Sequence, residues 1–211
     1  MSAGARALAE QIARGGIGVD RIQAIVQGLL RPPHWDSDPA TEDLRMRLAL
    51  VRELRLVREV RDLRQTVVGP ELGVTGGAIS AFERAPRPRP AVAYAQRYAR
   101  AVGCRLRFVA HGLPVLPADG ERDTYARLGD GHVPEVADEY HRLWLHAVLV
   151  ASRRATMQRP AFARHIGLTL GAVKGFEAEL RDGVLLETFQ RYFRAVGGRL
   201  DYELHPIGEE S

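Results

Sequence analysis

The chain has one cysteine, Cys104, among 211 residues. A lone thiol excludes an internal disulfide and a cysteine-based metal cluster, and makes a reducing cytoplasm the expected compartment. Lysine is as scarce, with Lys174 alone against 29 arginines, a bias read as a GC-rich genome rather than as function. No apolar run approaches the ~18 residues that a membrane-spanning helix needs, so no membrane partner is expected. The opening stretch MSAGARALAEQIARGG lacks the apolar core of a secretory signal. Catalytic patterns are missing too: no Ser-His-Asp, Cys-His or paired-carboxylate constellation is evident, and the seven histidines are scattered. His141 and His146 share a helix face poorly, and RGGIGVD (14–20) has neither the preceding strand nor the Lys-Ser/Thr pair of a phosphate loop. The expectation is no enzyme, no metal and no cofactor.

What remains is a soluble composition, 45% apolar and 27% charged, with a net charge of +4 that suits a polyanionic partner. The charge is unevenly spread. Residues 40–111 hold 14 arginines against 7 acids, whereas 134–205 hold 10 basic residues against 9 acids. The positive field belongs to the first of these stretches.

Those two stretches are versions of one passage, 94 positions apart. Leu72 to His111 reads LGVTGGAISAFERAPRPRPAVAYAQRYARAVGCRLRFVAH, and Ile166 to His205 reads IGLTLGAVKGFEAELRDGVLLETFQRYFRAVGGRLDYELH; without a gap, 17 of 40 positions are identical. Chance would give about two, at the ~5% frequency of a typical residue type. The sequence reads as an internal duplication, so what one copy does the chain is built to do with two.

The duplication sets the expected organisation. Residues 1–39 form an N-terminal helical extension and linker, 40–111 a first domain, 112–133 a linker rich in turn formers, 134–205 a second domain and 206–211 a tail. Residues 3–30 carry two short helical patterns broken at Gly15-Gly16, and RPPHWDSDP (31–39) is a linker because its prolines forbid continuous helix. Each domain opens on a long helix. Thr41 is the expected N-cap of the first, which should run to about Arg64 with apolar residues on more than one stripe; 134–158 is its counterpart. Each domain closes on an alternation, Leu106, Phe108, Ala110 and Leu200, Tyr202, Leu204, which after a Val-Gly helix stop predicts a short strand. The two strands could pair between copies. The fold class expected is therefore mainly α, tandem four-to-five-helix domains each ending in a short β-strand.

Between long helix and strand, each copy reads as two short helices around a glycine turn. Gly69 or Ala163 supplies the small residue that a steep crossing needs, and Gly73 or Gly167 the tolerance of positive φ that the turn needs. Thr75 and Thr169 fit as caps of the next helix, whose exposed N–H groups could meet a phosphate. Ile79 and Phe82, or Val173 and Phe176, pin its inner face. In copy one the run is Gln65, Gly69, Leu72-Gly73-Val74-Thr75, Ile79, Phe82-Glu83 and the basic loop Arg84 to Pro90. In copy two it is Arg159, Ala163, Ile166-Gly167-Leu168-Thr169, Val173 and Phe176-Glu177. This pattern resembles the helix-turn-helix of the Cro/CI-like repressors, the XRE family, across about 140 of the 211 residues. The resemblance implies lambda-repressor-like helix-turn-helix (HTH) domains and a transcriptional regulator that binds double-stranded DNA sequence-specifically, with the helix after the turn in a major groove.

On this reading the DNA-binding residues are Gln65, Thr75, Gly76, Gly77, Ser80, Arg84, Arg87 and Arg89 in copy one, and Arg159, Thr169, Leu170, Gly171 and Lys174 in copy two. The outward set is Gly76, Gly77, Ser80, Ala81 and Arg84 against Leu170, Gly171, Lys174, Gly175 and Ala178. It holds no Gln, Asn or pair of Arg for bidentate base contacts, which leaves Ser80, Leu170, Lys174 and close backbone approach to read bases. Arg84, Arg87 and Arg89 sit on a proline-stiffened loop suited to phosphate, where copy two has the acidic AELRDG. Copy one should thus supply most phosphate affinity. One chain with two such helices can act as a covalent pseudo-dimer, and the N-terminal helices could add a homodimer contact. The same pattern also fits an antitoxin or an interaction adaptor, with Tyr94, Tyr98, Phe189, Tyr192 and Phe193 facing a toxin or regulator partner rather than the core. Glu83 and Glu177 look catalytic only in isolation; each is expected to close its helix through a local salt bridge or backbone bond.

Overall fold

A computed structural model describes residues 38–115 and 133–207. The expected N-terminal helices, the linker at 31–37, the linker residues 116–132 and the last four residues lie outside the described residues. Among the described residues the chain is mainly helical, with eight helices and a two-stranded antiparallel sheet. The order is α1 (Pro39–Val60), α2 (Gln65–Glu71), α3 (Gly76–Arg84), α4 (Val92–Ala101), β1 (Cys104–His111), α5 (Pro134–Thr156), α6 (Arg159–His165), α7 (Leu170–Ala178), α8 (Leu186–Ala195) and β2 (Arg199–Pro206). No helix among them is long and apolar enough to cross a membrane.

The start of α1 corrects the expected cap. Asp38, not Thr41, closes the helix: its carboxylate accepts the N–H groups of Ala40 at 3.0 Å and Thr41 at 3.1 Å. Pro39 then occupies the first helical position, where a missing N–H costs nothing because no intrahelical acceptor would meet it. The same proline that ends the linker thus begins the helix. The far end also falls short of Arg64: α1 stops at Val60, and Asp62 turns the chain with φ 52°. Leu50, Val51 and Leu54 are buried, and the flanking Leu48, Leu56 and Val57 are half-buried.

The chain divides into two compact units. One comprises residues up to Pro88 with Tyr98–Arg105 and the chain from Leu204; the other comprises Arg89–Arg97 and Leu106–Glu203. In the first unit Leu50, Leu54, Val68, Ile79 and Tyr98 form the fully buried centre. In the second it is aromatic: Phe162, Phe189, Tyr192 and Phe193 are fully buried, with ring centroids of Phe176 and Tyr192 4.3 Å apart. Each such side chain contributes about 1.5–3 kcal/mol by leaving water. Tyr98, Phe189, Tyr192 and Phe193 are therefore core, not a partner-facing surface.

Both strands show the expected alternation, with Cys104, Leu106, Phe108 and Ala110 inward from β1 and Leu200, Tyr202 and Leu204 inward from β2. The Ile207 N–H donates to Gly103 O at 3.0 Å, and the antiparallel register it sets brings Phe108 opposite Tyr202. These two residues hold the same place in their repeats. A second pairing has the same property: Ala91 bridges to Leu185, with Val92 N–H on Val184 O at 3.0 Å and Leu186 N–H on Pro90 O at 2.8 Å. Phe108, Tyr202, Ala91 and Leu185 all belong to the second unit, and the two residues of each pair are repeat-equivalent.

Candidate nucleic-acid interface

The two short-helix pairs are built alike. Gly73 at φ 70° and Gly167 at φ 65° take the left-handed conformation at the turn, which a side chain would disfavour. The chain returns so closely that Val74 N–H bonds Gly69 O at 2.9 Å, as Leu168 N–H bonds Ala163 O at 2.9 Å. At Gly69 an added Cβ would lie 2.6 Å from the Val74 oxygen, so copy one needs glycine at the crossing. The side chains of Thr75 and Thr169 then cap α3 and α7, accepting Ala78 N–H at 3.2 Å and Ala172 N–H at 3.1 Å. Ile79 and Val173 are fully buried beneath.

The outer faces carry most of the residues singled out from sequence. Thr75, Gly77 and Arg84 on copy one, and Thr169, Leu170, Gly171 and Lys174 on copy two, are exposed; Ser80 is half-buried. Gly76 is an exception to the outward set. A Cβ there would stand 3.2 Å from the Thr66 side chain and 3.3 Å from the Gln65 backbone, so this position faces α2. In the loop after α3, Arg84 donates to Ser80 O at 3.2 Å and Arg87 is exposed. Arg89 is ion-paired with Glu187 at 3.0 Å, beside Arg191 on the same carboxylate.

Gln65 and Arg159 have a role that sequence reading missed. Each donates to a buried carboxylate, Gln65 Nε2 to Glu83 at 2.8 Å and Arg159 Nε to Glu177 at 2.5 Å. The glutamates are not engaged locally, as expected from sequence, but by the long helices. Arg58 of α1 grips Glu83 through two bonds of 2.6 and 2.9 Å, and Arg153 of α5 grips Glu177 at 2.6 and 2.8 Å. Each arginine also donates to the connecting backbone, at Leu63 O (2.8 Å) and Met157 O (3.2 Å). Tyr98 completes the first cluster by donating its hydroxyl to Glu83. The signal was obscured by an extra residue after α1: Arg58 and Leu63 are five apart, Arg153 and Met157 four. The left-handed Asp62 lies within the longer connection.

These bonds shape the electrostatics. Burial alone would raise the glutamate pKa values, but donors outweigh it and hold both carboxyls below their usual range: Arg58, Tyr98 and Gln65 for Glu83, Arg153 and Arg159 for Glu177. The hydrogen bond to Glu83 raises Arg58 further. Burial and the neighbouring carboxylate push both Tyr98 and Tyr192 well above the ordinary phenol range. The clusters thus contain fixed charges that orient α2 on α3 and α6 on α7. Two histidines hold structural bonds as well: His141 Nε2 accepts Phe108 N–H at 2.8 Å, and His146 Nε2 meets Phe176 O at 2.6 Å. Among the described residues no group of three potential metal ligands converges.

Comparison of the chain with protein-family models, with curated proteins and with solved structures gives no match.

Proposed function

We propose that the chain is a sequence-specific DNA-binding transcriptional regulator, whose two copies of a helix-turn-helix unit act as a covalent pseudo-dimer. One observation carries this reading. The same nine-residue helix occurs twice, α3 and α7, each capped by threonine, anchored by a buried glutamate and exposed along its outer face. Such a helix has the dimensions and polarity to enter a major groove. The pairings centred on Phe108–Tyr202 and Ala91–Leu185 support the pseudo-dimer, because contacts between identical partners are centred on equivalent residues. In this proposal the protein acts in the cytoplasm without cofactor, metal or catalysis. Thr75, Gly77, Ser80, Leu170, Gly171 and Lys174 face the bases, and Arg84 and Arg87 hold phosphate. Residues 1–39 supply any contact between two chains.

A second reading, an antitoxin or interaction adaptor on the same scaffold, is favoured by one feature: the outer faces offer Gly77, Ala81, Gly171 and Gly175 where bidentate base readers would stand. Selection of bound duplexes from a random pool at near-physiological salt separates the two. A motif with two half-sites supports the pseudo-dimer, a single half-site removes it, and no enrichment favours the adaptor.

A further inference from the structure

We infer that Arg159 is a releasable phosphate contact: it rests on Glu177 in the free protein and leaves for a phosphate oxygen, while the Tyr192 hydroxyl takes its place on the carboxylate. The identity of the anion, a nucleic-acid phosphate, rests on the DNA-binding reading above. Three observations, two of them within the second unit, carry the inference.

The first is a surplus of charge. Arg153 already meets Glu177 through two bonds of 2.6 and 2.8 Å from a buried guanidinium. Arg159 is a second cation on the same carboxylate, held by one bond of 2.5 Å, and its side chain is 41% exposed where that of Glu177 is 0%. It can turn to solvent without stranding an unbalanced carboxylate. The second observation is Tyr192. The residue is fully buried and its hydroxyl has no hydrogen-bond partner, an arrangement that buried polar groups rarely keep. The third is that the first repeat shows the alternative set of bonds. Gln65 and Tyr98 stand where Arg159 and Tyr192 stand, and there the tyrosine does donate to its glutamate. Loss of the Arg159 bond is then offset by a bond from a hydroxyl that otherwise has none.

The opposing explanation is steric. Phe162 replaces Val68 of the first repeat and lies 4.8 Å from the Tyr192 ring, centroid to centroid, and its bulk would hold that ring away from Glu177 in every state.

The test is to titrate the full chain with inorganic tripolyphosphate, and separately with duplex DNA, while following arginine Nε–Hε signals by NMR. Release predicts that the Arg159 signal moves while that of Arg153 stays. A stationary Arg159 signal, while those of exposed arginines such as Arg164 shift, overturns the inference. Tyr192→Phe should weaken binding of both anions a few-fold in the parent chain and have no effect in an Arg159→Gln background. Equal effects in the two backgrounds, or none in either, overturn the exchange and leave Phe162 as the reason for the unpaired hydroxyl. Arg159→Gln, patterned on Gln65, should melt like the parent and lower the salt slope of duplex binding by about one. Failure to bind any duplex would sink the regulator reading, while the tripolyphosphate titration still decides this inference.

Discussion

Glu83 and Glu177 occupy the same place in their repeats, yet they are satisfied by different chemistry. Glu83 receives one cation and two neutral donors, Arg58, Gln65 and Tyr98; Glu177 receives two cations, Arg153 and Arg159, and its tyrosine is left out. The first arrangement is balanced and closed. The second carries an extra positive charge at its solvent edge and an unused hydroxyl inside. Two similar stretches of one chain can therefore keep a geometric anchor while changing its charge, and the anchor's presence says little about what its outermost member can do.

The comparison is most easily broken at the gripping arginines. Arg58→Ala should destabilise the first unit by about 3–5 kcal/mol, the usual cost of stranding a buried charge. Arg153→Ala should cost less, because Arg159 remains on Glu177. Urea unfolding of the two variants measures both, and equal losses would show that Arg159 contributes nothing. Acidification probes the same anchors from the other side. Both carboxyls are held below their unfolded range, so their contribution is complete above that range and is lost as pH falls through the folded values. Glu83→Gln and Glu177→Gln should each flatten the acid limb of a stability-against-pH curve; parallel curves for parent and variants would contradict the assignment.

A smaller effect sharpens the contrast between the tyrosines. Tyr98→Phe removes a bond to a charged acceptor and should cost about 1.5–3 kcal/mol, whereas Tyr192→Phe deletes an unpaired hydroxyl and should leave stability unchanged or raise it. Thermal melts of the two variants suffice, and matching losses would mean that Tyr192 bonds Glu177 after all. Least separation is expected at the caps. Thr75→Ala and Thr169→Ala should each cost about 1 kcal/mol, equal within error by chemical denaturation, since the two caps have the same geometry.

Local features were legible in the sequence because they depend on neighbours. The positive φ of Gly73 and Gly167, the threonine caps and the alternating strands follow from residue type and spacing within a few positions. Position 38 was missed because Asp38 and Thr41 are both good caps, and the choice turned on proline being welcome at the first helical residue. The long-range partners of the glutamates were missed for a different reason. Arg58 and Glu83 are 25 residues apart, α1 and α5 share little identity, and the extra residue after α1 hides the equivalence of Arg58 and Arg153. The outward set implied by the resemblance includes Gly76, but it takes no account of α2, whose Thr66 would lie 3.2 Å from a Cβ at that position.

The bridge between Ala91 and Leu185 carries a lesson about freedom to vary. Where two identical chains meet on a symmetry axis, one codon dictates both sides, so a bulky residue confronts its own twin and a small one leaves a hole. In a single polypeptide the two sides are encoded separately, and that constraint is absent. A residue with a short side chain can then pair with one that has a long side chain, as Ala91 does with Leu185, and a phenylalanine can stand opposite a tyrosine, as Phe108 does opposite Tyr202. Size and polarity can then differ between the two sides of such a pairing, and substitutions on one side should be tolerated best when the other side changes with them.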